Sequence, residues 1–191
     1  MRFLRSALAA AALILAALAG SPALAKEVIN TNGSDHNVAI SGLDTVAFFT
    51  QHKPVQGDEA IFYEWKGARW LFASAQDRDL FKADPEKYAP QWGGYCAVGV
   101  SEGHLSKHLV KGSFDIHDGK LYLFAEGKPD DFDYWRKHWL ETEGGPISRI
   151  PVGESYWAQL KPLAEAGAQW PDLKKPKQTA QTSTPEAAAA R

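Results

Sequence analysis

The sequence is almost devoid of cysteine. Its 191 residues include a single cysteine, Cys96, and a single methionine. A disulfide within one chain needs two cysteines, so an internal disulfide framework and a Cys-x-x-Cys redox pair are both excluded. The fold must therefore depend on its apolar core, and Cys96 is the most reactive side chain on offer.

The sequence also lacks an excess of positive charge. It has 21 Lys plus Arg against 23 Asp plus Glu, for a formal net charge of -2. A surface that binds nucleic acid concentrates basic residues on one face or along one helix. We therefore expect no nucleic-acid partner.

Long apolar runs are absent apart from one near the start, at residues 7–19. This run is too short to cross a bilayer comfortably, it follows the basic residues Arg2 and Arg5, and Ala23-Leu24-Ala25 is a small-x-small cleavage site. The pattern predicts a bacterial signal peptide over residues 1–25. No cysteine follows the apolar run to carry a lipid, so we expect a periplasmic or secreted protein that does not span the membrane after cleavage.

The rest of the sequence divides into two parts of different composition. Residues 26–170 are rich in aromatic residues and are long enough for one compact domain. Lys174, Lys175 and Lys177 then lead into a stretch of Gln, Thr, Ser, Pro and Ala, a composition that cannot bury a core. We predict a single domain followed by a disordered tail at residues 171–191.

Two turn signals predict β-hairpins. Lys66-Gly67 separates the alternating residues 61–65 and 69–72, and Asp118-Gly119 separates residues 114–117 and 120–124. Helical patterns lie around and after these hairpins. The fold class that this order predicts is α+β, with small antiparallel hairpins packed with short helices.

The first helical pattern follows the first hairpin. Ser74 is a predicted N-cap, and Asp77 three residues later fits an acidic variant of the capping box. Asp84-Pro85 should end this helix and begin a short turn through Tyr88.

The second helical pattern follows the second hairpin. We expect Asp130 or Asp131 to cap its first helix, and a further helix over residues 154–166 to be bent or interrupted at Pro162. The apolar residues at helical spacing in the first of these are Phe132, Trp135, Trp139 and Leu140.

Several motifs resemble a known family. Residues 63–74 (YEWKGARWLFAS) and 84–88 (DPEKY) resemble the YHS domain, a small module associated with metal-handling proteins. Residues 42–49, 93–97 and 118–123 extend the likeness to exported bacterial YHS-domain proteins. The resemblance covers roughly residues 29–170 and implies a single YHS-like domain with C-terminal helices, with no settled activity.

The sequence departs from the family at its metal ligands. Metal-handling relatives have cysteines at the positions that Ala47, Ala73 and Asp77 occupy here. Neither an alanine nor a lone carboxylate replaces a soft sulfur donor for copper or zinc. Thr45 also stands where the exported branch usually has proline.

A metal site could instead use Cys96, His104 and His108. If residues 103–111 were helical, the two histidines would lie on one face at i and i+4, a spacing that can chelate a transition metal such as copper or zinc. Gly103 and Gly112 argue against a long helix, and histidines on a polar loop are usually solvated. The site is one hypothesis, and exposed histidines are the alternative.

The environment of Cys96 is open to two interpretations. Gly93-Gly94 could deliver it to the first turn of a helix, whose dipole would lower the thiol pKa and favour a nucleophile or redox sensor. A small buried thiol that only packs is the alternative. For a ligand pocket we single out Trp92, Tyr95 and Cys96.

Three functions remain open at this level. The first is a non-catalytic binding or accessory protein of the bacterial periplasm for a metal ion or small ligand. The second is a thiol-dependent enzyme or redox sensor that uses Cys96. The third is an interaction module for an envelope protein partner, with a structural Cys96. The sequence favours the non-catalytic function.

Overall fold

A computed structural model describes residues 28–31, 34, 36–106 and 110–174. The predicted signal peptide, His108 and residues 175–191 lie outside these ranges. The export of the protein and the disorder of its far C-terminus therefore stay predictions.

Two antiparallel hairpins form the sheet structure, as predicted. Strand β1 (Asp58–Trp65) pairs with β2 (Ala68–Phe72), and β3 (Val110–His117) pairs with β4 (Lys120–Ala125). Both central residues of each turn have positive φ, 49° and 73° in the first and 50° and 71° in the second. Two-residue turns of this kind match the twist of paired strands, so the local turn residues determine both hairpins.

The β3–β4 ladder contains an irregularity that shapes the surface nearby. Its register shifts between Val110 and Phe114. Gly112 lies within this shift with a φ of +102°, and a Cβ there would be 2.4 Å from Pro54 Cβ. Only glycine lets the strand approach Pro54 this closely.

Three helices accompany the first hairpin: α1 (Thr45–Thr50), α2 (Ala75–Ala83) and α3 (Pro85–Tyr88). The Ser74 hydroxyl accepts a hydrogen bond from the Asp77 N–H at 3.0 Å. The Asp84 carboxylate accepts one from the Lys87 N–H at 3.2 Å. Both predicted helix starts are confirmed.

Three further α-helices follow: α4 (Ala97–Ser101), α5 (Tyr134–Glu141) and α6 (Gly145–Glu165). Two short 3-10 helices lie at Ala39–Gly42 and Gln91–Gly94. The helix predicted over residues 154–166 is present as part of α6, but Pro162 does not interrupt it. The helix begins nine residues earlier and continues through Pro151 and Pro162. Both prolines are exposed and so lie on the solvent side of the helix.

The predicted cap of α5 was also wrong. Its N-cap residue is Asp133, which makes no side-chain capping hydrogen bond. Its carboxylate instead accepts a hydrogen bond from the Ser113 hydroxyl on β3 at 2.7 Å. Asp131 forms an ion pair with Lys137 at 2.8 Å.

Alternate residues of β4 join two apolar clusters. Leu121 and Leu123 belong to the first, under the β1–β2 hairpin, whereas Tyr122 and Phe124 belong to the second, under α5 and α6. Successive side chains of a strand point to opposite faces, so one strand serves both cores. The largest fully buried partners are Phe48, Trp70, Phe72 and Phe81 in the first cluster and Trp139 and Leu160 in the second.

The end of the described chain packs onto the domain. The Leu105 N–H donates to the Pro171 carbonyl, the Leu173 N–H donates to the Gly103 carbonyl, and both distances are 2.9 Å. Leu173 also packs against the second apolar cluster. The boundary predicted after residue 170 therefore falls inside a packed segment.

Among the ranges that the structure describes, none of the helices combines the length and the apolar character needed to cross a bilayer.

Candidate functional site

Cys96 lies at the start of α4 and lines a cavity of about 130 Å³. The residue is 6% exposed and packs in the second apolar cluster. His104, Glu102 and Trp135 line the same cavity. The structure therefore brings the only thiol of the sequence to one small space with an imidazole and a carboxylate.

Burial raises the pKa of the Cys96 thiol. Hydrogen bonds from the backbone N–H groups of Ala125, Gly99 and Val98 act in the opposite direction but are outweighed. Cys96 does lie at the N-terminal end of a helix, as the sequence suggested. Burial nevertheless has the largest effect on the pKa of its thiol. Cys96 is consequently a protonated thiol at neutral pH, not an activated thiolate.

His104 reaches the cavity from a loop. Residues 103–106 are not helical, and His104 forms an isolated antiparallel bridge with Asp172. The condition for a shared helical face with His108 is therefore not met at His104. A Cβ at Gly99 would lie 3.3 Å from His104 Nε2, so this glycine keeps the imidazole close to α4.

The described donors fall short of a complete metal site. Among residues 28–31, 34, 36–106 and 110–174, no three His, Cys, Asp or Glu side chains converge in a way that could hold a metal ion. Cys96 and His104 supply two donors to one cavity, and the Glu102 carboxylate on its wall lies 3.7 Å from His138 Nε2. The third predicted ligand, His108, lies outside the described residues.

The other residues of the predicted ligand pocket lie apart from Cys96. Trp92 lines a cavity beside the β1–β2 turn, and Tyr95 lines a different one near Trp170. Trp92 is 4% exposed and packs edge-on against Tyr122, with ring centroids 5.3 Å apart. The structure thus distributes Trp92, Tyr95 and Cys96 over three cavities, and Trp92 serves mainly as core.

Sequence reasoning assigned no function to Asp44, which is fully buried. One carboxylate oxygen accepts hydrogen bonds from the N–H groups of Val46 at 2.9 Å and Ala47 at 3.3 Å. The other accepts from the Ala73 N–H at 2.8 Å. An aspartate just before a helix is a local signal for an N-cap, but the link from Asp44 to the end of β2 depends on tertiary structure.

Asp44 also marks where the missing cysteines would have been. Its carboxylate binds the N–H groups of Ala47 and Ala73 and interacts electrostatically with Asp77. These are the three positions at which the family resemblance implies thiolates. Burial, followed by the nearby charge of Asp77, raises the pKa of Asp44 to about 6 against the amide hydrogen bonds that lower it.

In a comparison with known families, the matched segment contains Ala47, Ala73 and Asp77. Residues 46–92 match the model of the YHS domain. The YHS match runs from α1 to the turn that contains Trp92, about a quarter of the chain. Cys96 and His104 therefore lie just beyond it. No curated protein and no solved structure matches the chain.

Proposed function

We propose that this protein is a non-catalytic binding protein of the bacterial periplasm that holds a transition metal ion or a small ligand at the Cys96 cavity. The match to the YHS domain supports the metal-binding part, because that family is associated with metal binding. The predicted signal peptide at residues 1–25 supports the location.

The single observation behind the assignment is that Cys96 and His104 line one cavity of about 130 Å³. A thiolate and an imidazole are the donors that copper and zinc favour in proteins. The positions of the family's thiolates hold Ala47, Ala73 and Asp77, so those residues do not supply such a set. His108 stands two positions after Ser106 in the sequence, and Ser106 lines the cavity, so His108 belongs in any test of the site.

Non-catalytic binding fits the state of the thiol better than nucleophilic chemistry does. A nucleophilic cysteine needs an exposed sulfur and a lowered pKa, whereas Cys96 is buried and its pKa is raised. A metal ion displaces the thiol proton when it binds. We therefore expect metal affinity to increase with pH.

Titration of the full chain with Zn(II), Cu(II) and Cu(I) under reducing conditions tests the proposal. We expect one saturable site per chain for at least one of these ions. Cys96→Ser should abolish this binding, and His104→Ala should weaken it at least tenfold. His108→Ala should weaken it if His108 completes the donor set.

His36→Ala is the matched control, because His36 is an exposed histidine far from the cavity in sequence. Circular dichroism of each variant separates lost binding from lost folding. Binding that survives Cys96→Ser unchanged would refute the metal site, and so would the absence of saturable binding for all three ions.

The location requires its own experiment. Expression of the full chain in a Gram-negative host, fractionation and mass spectrometry of the N-terminus should recover a periplasmic protein that begins at Lys26. An uncleaved cytoplasmic protein would contradict the location without affecting the metal site.

A further inference from the structure

A second cavity, of about 630 Å³, lies between β3 and the start of α5. It is remote in sequence from Cys96, and neither Cys96 nor His104 lines it. Pro54, Phe114 and Phe132 give it apolar walls. Phe132 is 46% exposed, so part of this apolar surface is available to a bound molecule.

Two carboxylates on the wall are fixed by neutral donors. Asp133 accepts a hydrogen bond from the Ser113 hydroxyl at 2.7 Å, and Ser113 is itself buried. Asp115 accepts one from the indole N–H of Trp139 at 3.3 Å, and Trp139 is fully buried. These donors orient the carboxylates but carry no charge themselves.

Arg136 contributes a positive charge to the same wall. It is half-buried, and it forms no ion pair or hydrogen bond with any residue in the described part of the chain. Asp133 is three positions earlier at the start of the same helix, a spacing that places side chains on one helical face. The arginine and the two carboxylates nevertheless stay more than an ion-pair distance apart.

We propose that this cavity binds a small zwitterionic molecule of the amino-acid type with an apolar side chain. Its ammonium group would be held by Asp115 and Asp133, and its carboxylate by Arg136, whose planar guanidinium suits a bidentate carboxylate. Its apolar part would lie against Phe132. A mainly apolar pocket with a few fixed polar groups is the usual form of a small-molecule site.

The separation of the charges carries this inference. A simple anion would meet the two carboxylates, and a simple amine would leave Arg136 unused. A molecule with both charges bridges the gap between groups that the fold holds apart. The shift in β3 register and the close contact of Gly112 with Pro54 fix one wall of the space.

Three related probes separate the parts of the proposal: L-phenylalanine, phenethylamine and 3-phenylpropionate. They share an aromatic ring and differ in their charged groups. In calorimetric titrations of the full chain, we expect L-phenylalanine to bind saturably and at least tenfold more tightly than either of the other two.

Two substitutions test the assigned groups. Arg136→Gln should weaken L-phenylalanine binding at least tenfold and leave phenethylamine binding unchanged. Asp133→Asn, which keeps an acceptor for Ser113, should weaken both. Lys82→Gln, at an exposed position on α2, is the charge-matched control for Arg136→Gln and should change neither.

The proposal fails if L-phenylalanine shows no saturable binding, if phenethylamine binds as tightly, or if Arg136→Gln leaves L-phenylalanine binding unchanged. Cys96→Ser should not alter the titrations. A loss of L-phenylalanine binding in that folded variant would mean that the ligand occupies the Cys96 cavity, and it would overturn the assignment to Arg136.

Discussion

Replacing Asp44 by asparagine should remove a pH dependence from the stability of this protein. Two opposing effects act on this carboxyl group. Its burial disfavours the charged form, whereas hydrogen bonds from the N–H groups of Val46, Ala47 and Ala73 favour it. Desolvation is the largest influence and, with the nearby Asp77, raises the pKa of Asp44 to about 6.

The raised pKa determines the direction of the effect. The ordinary pKa of an aspartate in an unfolded chain is about 3.9, so between pH 4 and 6 the folded protein binds more protons than the unfolded chain does. Stability from this group is complete below pH 4 and is lost as the pH rises through 6. The pKa difference corresponds to a loss of about 3 kcal/mol in the free energy of unfolding.

Urea unfolding followed by tryptophan fluorescence measures this free energy, since the sequence contains seven tryptophans. Asp44→Asn cannot ionise, so the difference in stability between wild type and variant should change by about 3 kcal/mol from pH 4 to pH 7.5. Wild type should be relatively more stable at pH 4. The lost acceptor for the Ala73 N–H adds a cost of about 1–3 kcal/mol that does not vary with pH.

Asp79→Asn is the control, because Asp79 lies on α2 with a largely exposed side chain. It makes the same change of side chain away from the buried carboxylate, so its difference curve is the reference for that of Asp44→Asn. A flat curve for Asp44→Asn would show that burial and the amide hydrogen bonds cancel. A curve of the opposite slope would show that the hydrogen bonds dominate, and either result would refute the reasoning.

Three further predictions follow from close contacts and burial. Gly153→Ala should destabilise the protein by about 1–3 kcal/mol in urea unfolding, because the new Cβ would lie 2.4 Å from Trp92 Cη2. Alanine is the better helix former, so a more stable variant would contradict this packing. Gly112→Ala should cost about 2 kcal/mol, because it combines a positive φ with a clash against Pro54, and an unchanged unfolding midpoint would count against it. Cys96 should react with iodoacetamide much more slowly in the folded protein than in urea at pH 7.5, because it is buried and its pKa is raised; equal rates would show that the thiol is accessible.

Local signals predicted the parts of the fold that local interactions determine. The hairpin turns at Lys66-Gly67 and Asp118-Gly119 require positive φ at both residues. Residue types that tolerate positive φ can be recognised from the sequence alone. The hydroxyl of Ser74 needs only a neighbour three residues away to begin α2. These features are accessible because each depends on a few consecutive residues.

Predictions failed where distant contacts override local preference. Pro162 suggested a bend or an interruption, but α6 continues through it while Gly153 lies against Trp92 and Leu160 packs in the second apolar cluster. The Asp133 carboxylate accepts a hydrogen bond from Ser113 on β3 instead of capping its own helix. Ser113 is 20 residues away in the sequence, so no local pattern could predict this bond.

The candidate site was predictable only in part. The sequence singled out Cys96 and His104, and the structure places both at one cavity. It also suggested that a helical dipole would activate the thiol, but the surrounding apolar residues determine its pKa instead. The cavity at Arg136 depends on the packing of β3 against the start of α5, so no sequence pattern indicated it.

The pairing of residues 171–173 with residues 103–105 has a practical consequence for anyone who shortens this protein. A chain that stopped at Trp170 would contain the residues of both hairpins and of all six described α-helices, yet it would lose the backbone partners of the loop around His104. Such a protein would misrepresent the Cys96 cavity, so experiments on that cavity should retain the chain at least through Lys174.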